Sequence, residues 1–255
     1  MGRNTDEEKE YQKYYYPDTD VLRNKANVKN PEAAESFERL HSIKRLDELV
    51  ANDKLKIAVD YNSYKEIHRY LFQDVWDWAG NIRTYTTGRG SAPFATPENI
   101  DREMLKRFEK INRENNCKGL SLDKFAERSA EHVAEINAIH PFVEGNGRTQ
   151  RLFLHYLAKE AGYKIDMRNI DKNKGDWYQA SAISFNKADY EPMVKCIRRS
   201  LMTIDPERDK FLARAAEHSL TGDKALEFSR RMQQLEAGKQ NNQSLSKDRS
   251  RDIER

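Results

Sequence analysis

Apolar residues recur along most of this chain at helical rather than strand spacing. Tyr64, Ile67, Leu71, Val75 and Trp78 follow one another at steps of three or four, which predicts one buried helical face ended by Gly80. Pro31 stands where a first helical turn tolerates proline, and PEAAESFERLHSIKRLDELVAN behind it is rich in helix formers. In TPENIDREMLKRFEKINREN the pattern predicts a helix capped by Thr96 or Asn99, with Met104, Leu105, Phe108 and Ile111 facing inward. SLDKFAERSAEHVAEINAI starts at a Ser121 cap, carries Phe125, Val133 and Ile136 on one side, and runs straight into His140. Pro141 disfavours helical geometry at that histidine, so the chain must turn there. RTQRLFLHYLAKEAG predicts a further helix closed by Gly162, and two more follow around Trp177 to Phe185 and Tyr190 to Met202.

Two stretches break the pattern. The opening reads as an extended, tyrosine-rich arm, and NIRTYTTGRGSAPFATP, with its glycines and prolines, reads as a short hairpin or open loop. The fold class is therefore all-α with one small hairpin. The predicted organisation is an arm over 1–30, a core over 31–202, a helical extension over 203–238 and a disordered polar tail over 239–255.

Composition narrows the possibilities. The formal charge of +3 is the small difference between 45 basic and 42 acidic residues, weak support for nucleic acid, which wants a clustered basic stripe. Cys117 and Cys196 alone give no disulfide framework and no metal-spaced cluster, and both read as inert thiols. No apolar run approaches the roughly 18 residues of a membrane span, and the polar opening does not read as a signal peptide.

The chemistry concentrates in His140 to Arg151, HPFVEGNGRTQR. Gly145 and Gly147 let backbone approach a ligand closely, Asn146 can cap, and the unpaired N–H groups of a first helical turn make an anion site. Arg148 and Arg151, three apart, can reach one polyanion, which points to a phosphate chain. Glu144 suits Mg²⁺ beside such a chain, because that ion takes one or two protein oxygens and the rest from phosphate and water. His140 suits a general base at neutral pH. Together they imply attack of a hydroxyl on a nucleotide phosphate. Neither the Walker phosphate loop nor HExxH is present.

HPFVEGNGRTQR resembles the signature of the Fic family, HPFxxGNGRxxR with Asp or Glu at the fifth position. YPDTDVLRNK is similar to that family's N-terminal arm and DVWDWAGNIRT to the segment leading into its hairpin flap, while AGYKIDMRNI, WYQAS and NKADYEPM resemble its last core helices. The resemblance covers about residues 14 to 202 and implies an all-α Fic fold that transfers AMP from ATP to a Ser, Thr or Tyr hydroxyl of a target protein, a host GTPase being one candidate. It implies that His140 deprotonates the hydroxyl and Glu144 holds Mg²⁺. The amides of Gly145 to Gly147, with Asn146, would stabilise the α-phosphate, and Arg148 and Arg151 would grip the β- and γ-phosphates. Phe142 becomes an apolar anchor, and Tyr178 and Asn186 become candidates for the adenine pocket. Thr84 to Ala95 becomes the flap, with Thr86, Thr87, Gly88, Arg89 and Gly90 as the target-docking segment and Arg89 at its tip.

Many Fic proteins carry an inhibitory helix, (S/T)xxxE followed by Gly or Asn. Thr203 to Glu207 and Ser250 to Glu254 have the spacing, but arginine follows each glutamate. The resemblance thus implies a small antitoxin-like inhibitor acting in trans on Arg151, as in toxin-type members related to Bartonella secreted effectors, and a protein of the bacterial cytoplasm or of a host cell. Transfer of UMP, phosphate or phosphocholine, and a catalytically silent binding module, remain the alternatives.

Overall fold

The computed structural model describes residues 5–52, 57–170, 172–173 and 175–203, so the predicted extension and tail beyond Thr203 lie outside the described residues. The arm is less irregular than predicted. It opens with helix α1 (Thr5–Gln12), and only then runs extended, held by a bridge between Tyr15 and Leu22 and by the Lys25 N–H donating to the Val75 carbonyl at 2.8 Å. Helix α2 (Pro31–Asn52) begins at the predicted proline, and Asn30 Oδ1 caps it by accepting from the Ala33 N–H at 2.9 Å.

Helix α3 (Tyr61–Phe72) is shorter than its apolar spacing predicts. Asp60 caps it, and Tyr64, Ile67 and Leu71 are buried, but the helix stops at Phe72. Val75 and Trp78 follow in a turn, with the Val75 and Trp76 N–H groups folded back on the Phe72 carbonyl. Arg45 of α2 grips Asp74 through Nε at 2.6 Å and Nη2 at 2.9 Å, which draws the chain off the helix axis. A turn returning to the same face reuses helical spacing, and periodicity cannot tell the two apart.

The hairpin is present as β1 (Gly88–Arg89) and β2 (Ala92–Pro93), antiparallel, with Arg89 opposite Ala92. A side chain at Gly88 would put its Cβ 2.3 Å from the Ala92 carbonyl oxygen, so only glycine permits this approach. Helix α4 (Pro97–Arg113) buries Ile100, Met104, Phe108 and Ile111; Leu105, predicted inward, is 52% exposed. The true stripe begins one turn earlier, at Ile100. Thr96 occupies the cap position but makes no bond to the helix backbone, its hydroxyl being taken by Glu98 and Asn99.

Helix α5 (Leu122–Ile139) is the centre. Phe125, Ala126, Ala130, Val133, Ala134 and Ile136 are all buried, more than one face's worth. It packs against α4, α6 (Asn146–Glu160), α8 (Asp176–Lys187) and α9 (Glu191–Ser200). The helix predicted to reach Met202 ends at Ser200. Leu201–Thr203 form β4 instead, antiparallel to β3 (Tyr163–Ile165), with the short α7 (Met167–Ile170) behind. Among the described residues the fold is mostly helical with two small sheets rather than one hairpin. Among the described residues no helix is long and apolar enough to cross a membrane.

Both cysteines are buried, and burial pushes the Cys117 thiol up to about 11, which keeps it protonated. Glu114, Cys117 and His132 do converge, their potential ligand atoms lying within 4.8 Å of one another, a grouping invisible in their spacing along the chain. Arg128 already holds that carboxylate in a fork at 2.6 and 3.2 Å, and His132 Nε2 lies 2.9 Å from it. The cluster is an ion-pair joint between the end of α4 and α5.

Candidate active site

His140 ends α5 in the left-handed region, φ 52° and ψ 64°, its N–H donating to the Ile136 carbonyl at 3.0 Å. A non-glycine residue held there costs about 1–2 kcal/mol, and Pro141 behind it excludes the helical alternative. Phe142 is fully buried between the His68 ring at 3.8 Å and the Tyr64 ring at 5.7 Å, both near parallel. That burial is worth roughly 1.5–3 kcal/mol and anchors the turn.

Gly145 caps α6 at φ +82°, where a Cβ would meet the Phe72 ring at 2.4 Å. Asn146 is the first residue of α6 rather than its cap. Its buried side chain turns inward, Nδ2 donating to the Phe142 carbonyl at 2.9 Å and Oδ1 accepting from the Phe142 N–H at 3.1 Å. The helix thus starts with no side-chain cap, which leaves its first N–H groups for an anion. A Cβ at Gly147 would meet only Arg151 Nη1 at 3.7 Å, so the chain itself does not fill that space.

The charged residues surround this turn. Glu144 Oε1 accepts from the Gly145 N–H at 2.8 Å and stands 3.8 Å from Arg148 Nη2, with its side chain 56% exposed. Arg148 leans across the Phe72 ring towards α2, donating to Glu38 and, at 2.9 Å, to Ser42 Oγ. Arg151 lies beside the first turn of α6, next to Gly147. Arg148 is thus engaged by Glu38 and Ser42 of α2.

The His140 ring stacks on Phe94 of the flap at 4.0 Å and 2°, and Phe94 in turn touches Phe185 of α8. Its Nδ1 is buried without a hydrogen bond. That burial, with the Arg83 and Arg89 guanidiniums nearby, pushes the imidazole down to about 3, so the ring is neutral at physiological pH. Arg89 lies 4.9 Å over the Tyr178 ring, which joins the predicted docking tip to the predicted adenine residue. Thr86 and Thr87 lead into β1, with Thr87 accepting the Phe94 N–H. Asn186 sits exposed two turns further along α8.

Two residues that brace the turn escape sequence reasoning. His68 Nδ1 accepts the Gly80 N–H at 2.8 Å, so its Nε2 carries the proton and donates to the Glu144 carbonyl at 2.9 Å. It stands four residues after Tyr64, so a polar residue on an inward face was its available signal. Arg83 is fully buried and donates only to backbone carbonyls, those of His140, Ile139, Tyr85 and Ala95; no periodicity announces it.

Burial pushes His68 down to about 3, against about 6.5 when unfolded. The unfolded chain therefore binds the proton first, and stability present above pH 6.5 is lost progressively as pH falls towards 3. The thermal midpoint is expected to drop between pH 7 and 5, at up to about 1.4 kcal/mol per unit for this group. A His68→Gln variant should start lower and show a shallower slope; equal slopes in calorimetry would refute the assignment.

Residues 58–158 match the Fic/DOC family. The chain is 38% identical over 187 residues to a Sinorhizobium fredii protein named probable protein adenylyltransferase y4lH, covering 73% of this chain and 94% of that one. It is 34% identical over 161 residues to the protein adenylyltransferase VbhT of Bartonella schoenbuchensis, covering 63% of this chain but only 34% of VbhT. Among solved structures, BepC of Bartonella tribocorum, a VirB-translocated effector with bound AMPPNP, superposes with a TM-score of 0.68 at 26% identity, over 76% of this chain and 98% of that one.

Proposed function

The chain belongs to the Fic/DOC family, and from that premise we propose that the turn between α5 and α6 transfers AMP from ATP to a hydroxyl of a target protein. The protein is a protein adenylyltransferase. What supports the assignment of roles is one observation: a neutral imidazole, uncapped helix N–H groups and two arginines converge on a turn whose glycine leaves space unfilled.

His140 would accept the hydroxyl proton as the target oxygen attacks the α-phosphorus and the bond to pyrophosphate breaks. In the nucleotide-free protein the ring is a weak base, which suits a group that must be unprotonated before substrate arrives. The negative charge of a bound triphosphate then raises its basicity in place. The α6 N–H groups, aimed where charge develops, would stabilise the transition state, typically a large contribution. Arg148 and Arg151 would hold the β- and γ-phosphates, with Arg148 exchanging Glu38 for phosphate. Tyr178 and Asn186 would line the adenine side, and the segment from Thr86 to Gly90 would take the target as an added strand.

Glu144 fits Mg²⁺. Its exposed carboxylate stands beside the phosphate end of the site, and that ion needs few protein oxygens. When bound, the ion would neutralise charge on the triphosphate. Regulation is assigned to a small antitoxin-like protein presenting a glutamate to Arg151. The setting is the bacterial cytoplasm, with delivery into a host cell as for the similar VirB-translocated effectors.

Incubation with target-containing lysate and ATP labelled at either phosphate tests the reaction. Label is expected in protein from the α position only. Label arriving from the γ position would mean phosphate transfer and would overturn the proposal.

A further inference from the structure

We infer that Arg83 is a positioning residue of the transfer reaction. One buried guanidinium ties both legs of the flap and the His140 turn into a single body, so a target strand on the flap presents its hydroxyl at a fixed distance from the imidazole. This rests on the adenylyltransferase reading and adds to it a residue outside the motif.

A buried arginine ordinarily faces a carboxylate. Among the described residues Arg83 has none, and its planar fork is spent on main-chain oxygens. Nε donates to the His140 carbonyl at 2.8 Å, and Nη2 reaches the Ile139 carbonyl at 3.2 Å. Both belong to the C-terminal end of α5, where a cation is favoured by the helix dipole. Nη1 donates to the Tyr85 carbonyl at 2.8 Å on the leg entering the hairpin, and Nη2 also donates to the Ala95 carbonyl on the leg leaving it. The Arg83 N–H completes the joint by donating to the Pro141 carbonyl at 2.9 Å. Directly beside this joint, the Ala95 N–H donates to the Ala138 carbonyl at 3.4 Å. Flap and catalytic turn thus share one set of bonds around one side chain.

The choice of arginine follows. Burial lowers its pKa only to about 10, so it stays charged. A lysine would keep the charge but offers three donors from one point, which cannot span carbonyls on three separate strands of backbone. The charge has its own use, since it stands with burial among the causes that keep His140 unprotonated.

Two variants and the unaltered protein test this. In Arg83→Lys, kcat on a protein target should fall about 100-fold, the cost of a misplacement near 1 Å. KM for ATP should move by less than about twofold, because the phosphate cradle is untouched. In Arg83→Gln the His140 resonance, followed by NMR, should titrate at clearly higher pH than in the wild type. In the wild-type protein the Arg83 and Ala95 amides should exchange with deuterium as slowly as those of the His140 turn. Folded variants with kcat within about threefold of wild type and an unmoved His140 titration would overturn the inference. So would flap-base amides that exchange far faster than the turn, a result available even if neither variant folds. Absence of AMP transfer by the wild type would instead sink the proposed function, while titration and exchange would still decide the place of Arg83.

Discussion

Alanine in place of His140 is expected to lower AMP transfer by about 10²–10⁴-fold, the usual worth of a positioned general base. ATP binding should survive, because the phosphate cradle belongs to α6 and its arginines, on the far side of the Pro141 turn. Isothermal titration with ATP and MgCl₂ separates the two effects. A variant that loses ATP affinity as completely as transfer would show that the imidazole supports the turn rather than reacts. The wild-type pH profile adds a sharper expectation. An unperturbed histidine base would give an acid limb near 6.5. His140, held down to about 3 beneath Phe94 and beside two guanidiniums, should leave kcat/KM for ATP, which reports the nucleotide-free enzyme, without a limb there. A clear inflection at 6.5 assigned to His140 would mean that Phe94 does not cover the ring in solution.

The motif was legible because its chemistry is contiguous. His140, Glu144 and the glycine turn into α6 sit in space where their order along the chain puts them, and Phe142 anchors as expected. What sequence could not show is the part built from distant carbonyls. Arg83 lies in a polar-looking segment, IRTYTTG, and its partners are main-chain oxygens up to 57 residues away. Backbone acceptors leave no trace in residue identity. Arg148 illustrates a different limit. Helical spacing places it three residues before Arg151, but spacing does not show that a carboxylate and a hydroxyl on α2 engage its guanidinium. The turn mistaken for the end of α3, and the strand mistaken for the end of α9, share one cause. Three or four residues that return to a buried face look helical whether or not hydrogen bonds continue.

Gly145→Ala is expected to be among the most damaging single changes in the molecule, and Gly147→Ala tells why. At Gly145 the left-handed φ of +82° alone costs about 1–2 kcal/mol for an L side chain. The new methyl would also stand 2.4 Å from Phe72 Cε2. That ring has little freedom to move. It stacks on Trp76 at 4.7 Å, tilts against His68 at 4.8 Å, and carries the Arg148 guanidinium 4.7 Å above it. Crowding of this kind adds about 1–3 kcal/mol, so the fold should lose stability and the first turn of α6 should shift, taking AMP transfer down at least about 100-fold. Gly147 meets no clash and has no left-handed φ. Its alanine variant should unfold at nearly the wild-type temperature yet lose ATP affinity, because the methyl enters space reserved for phosphate. Pairing Gly145→Ala with Phe72→Leu should recover the crowding component of stability and leave the backbone component, a non-additivity readable in a double-mutant cycle. If Gly147→Ala bound ATP as wild type does, the unfilled space beside α6 would not be where the phosphates lie, and the roles given to Arg148 and Arg151 would fall with it.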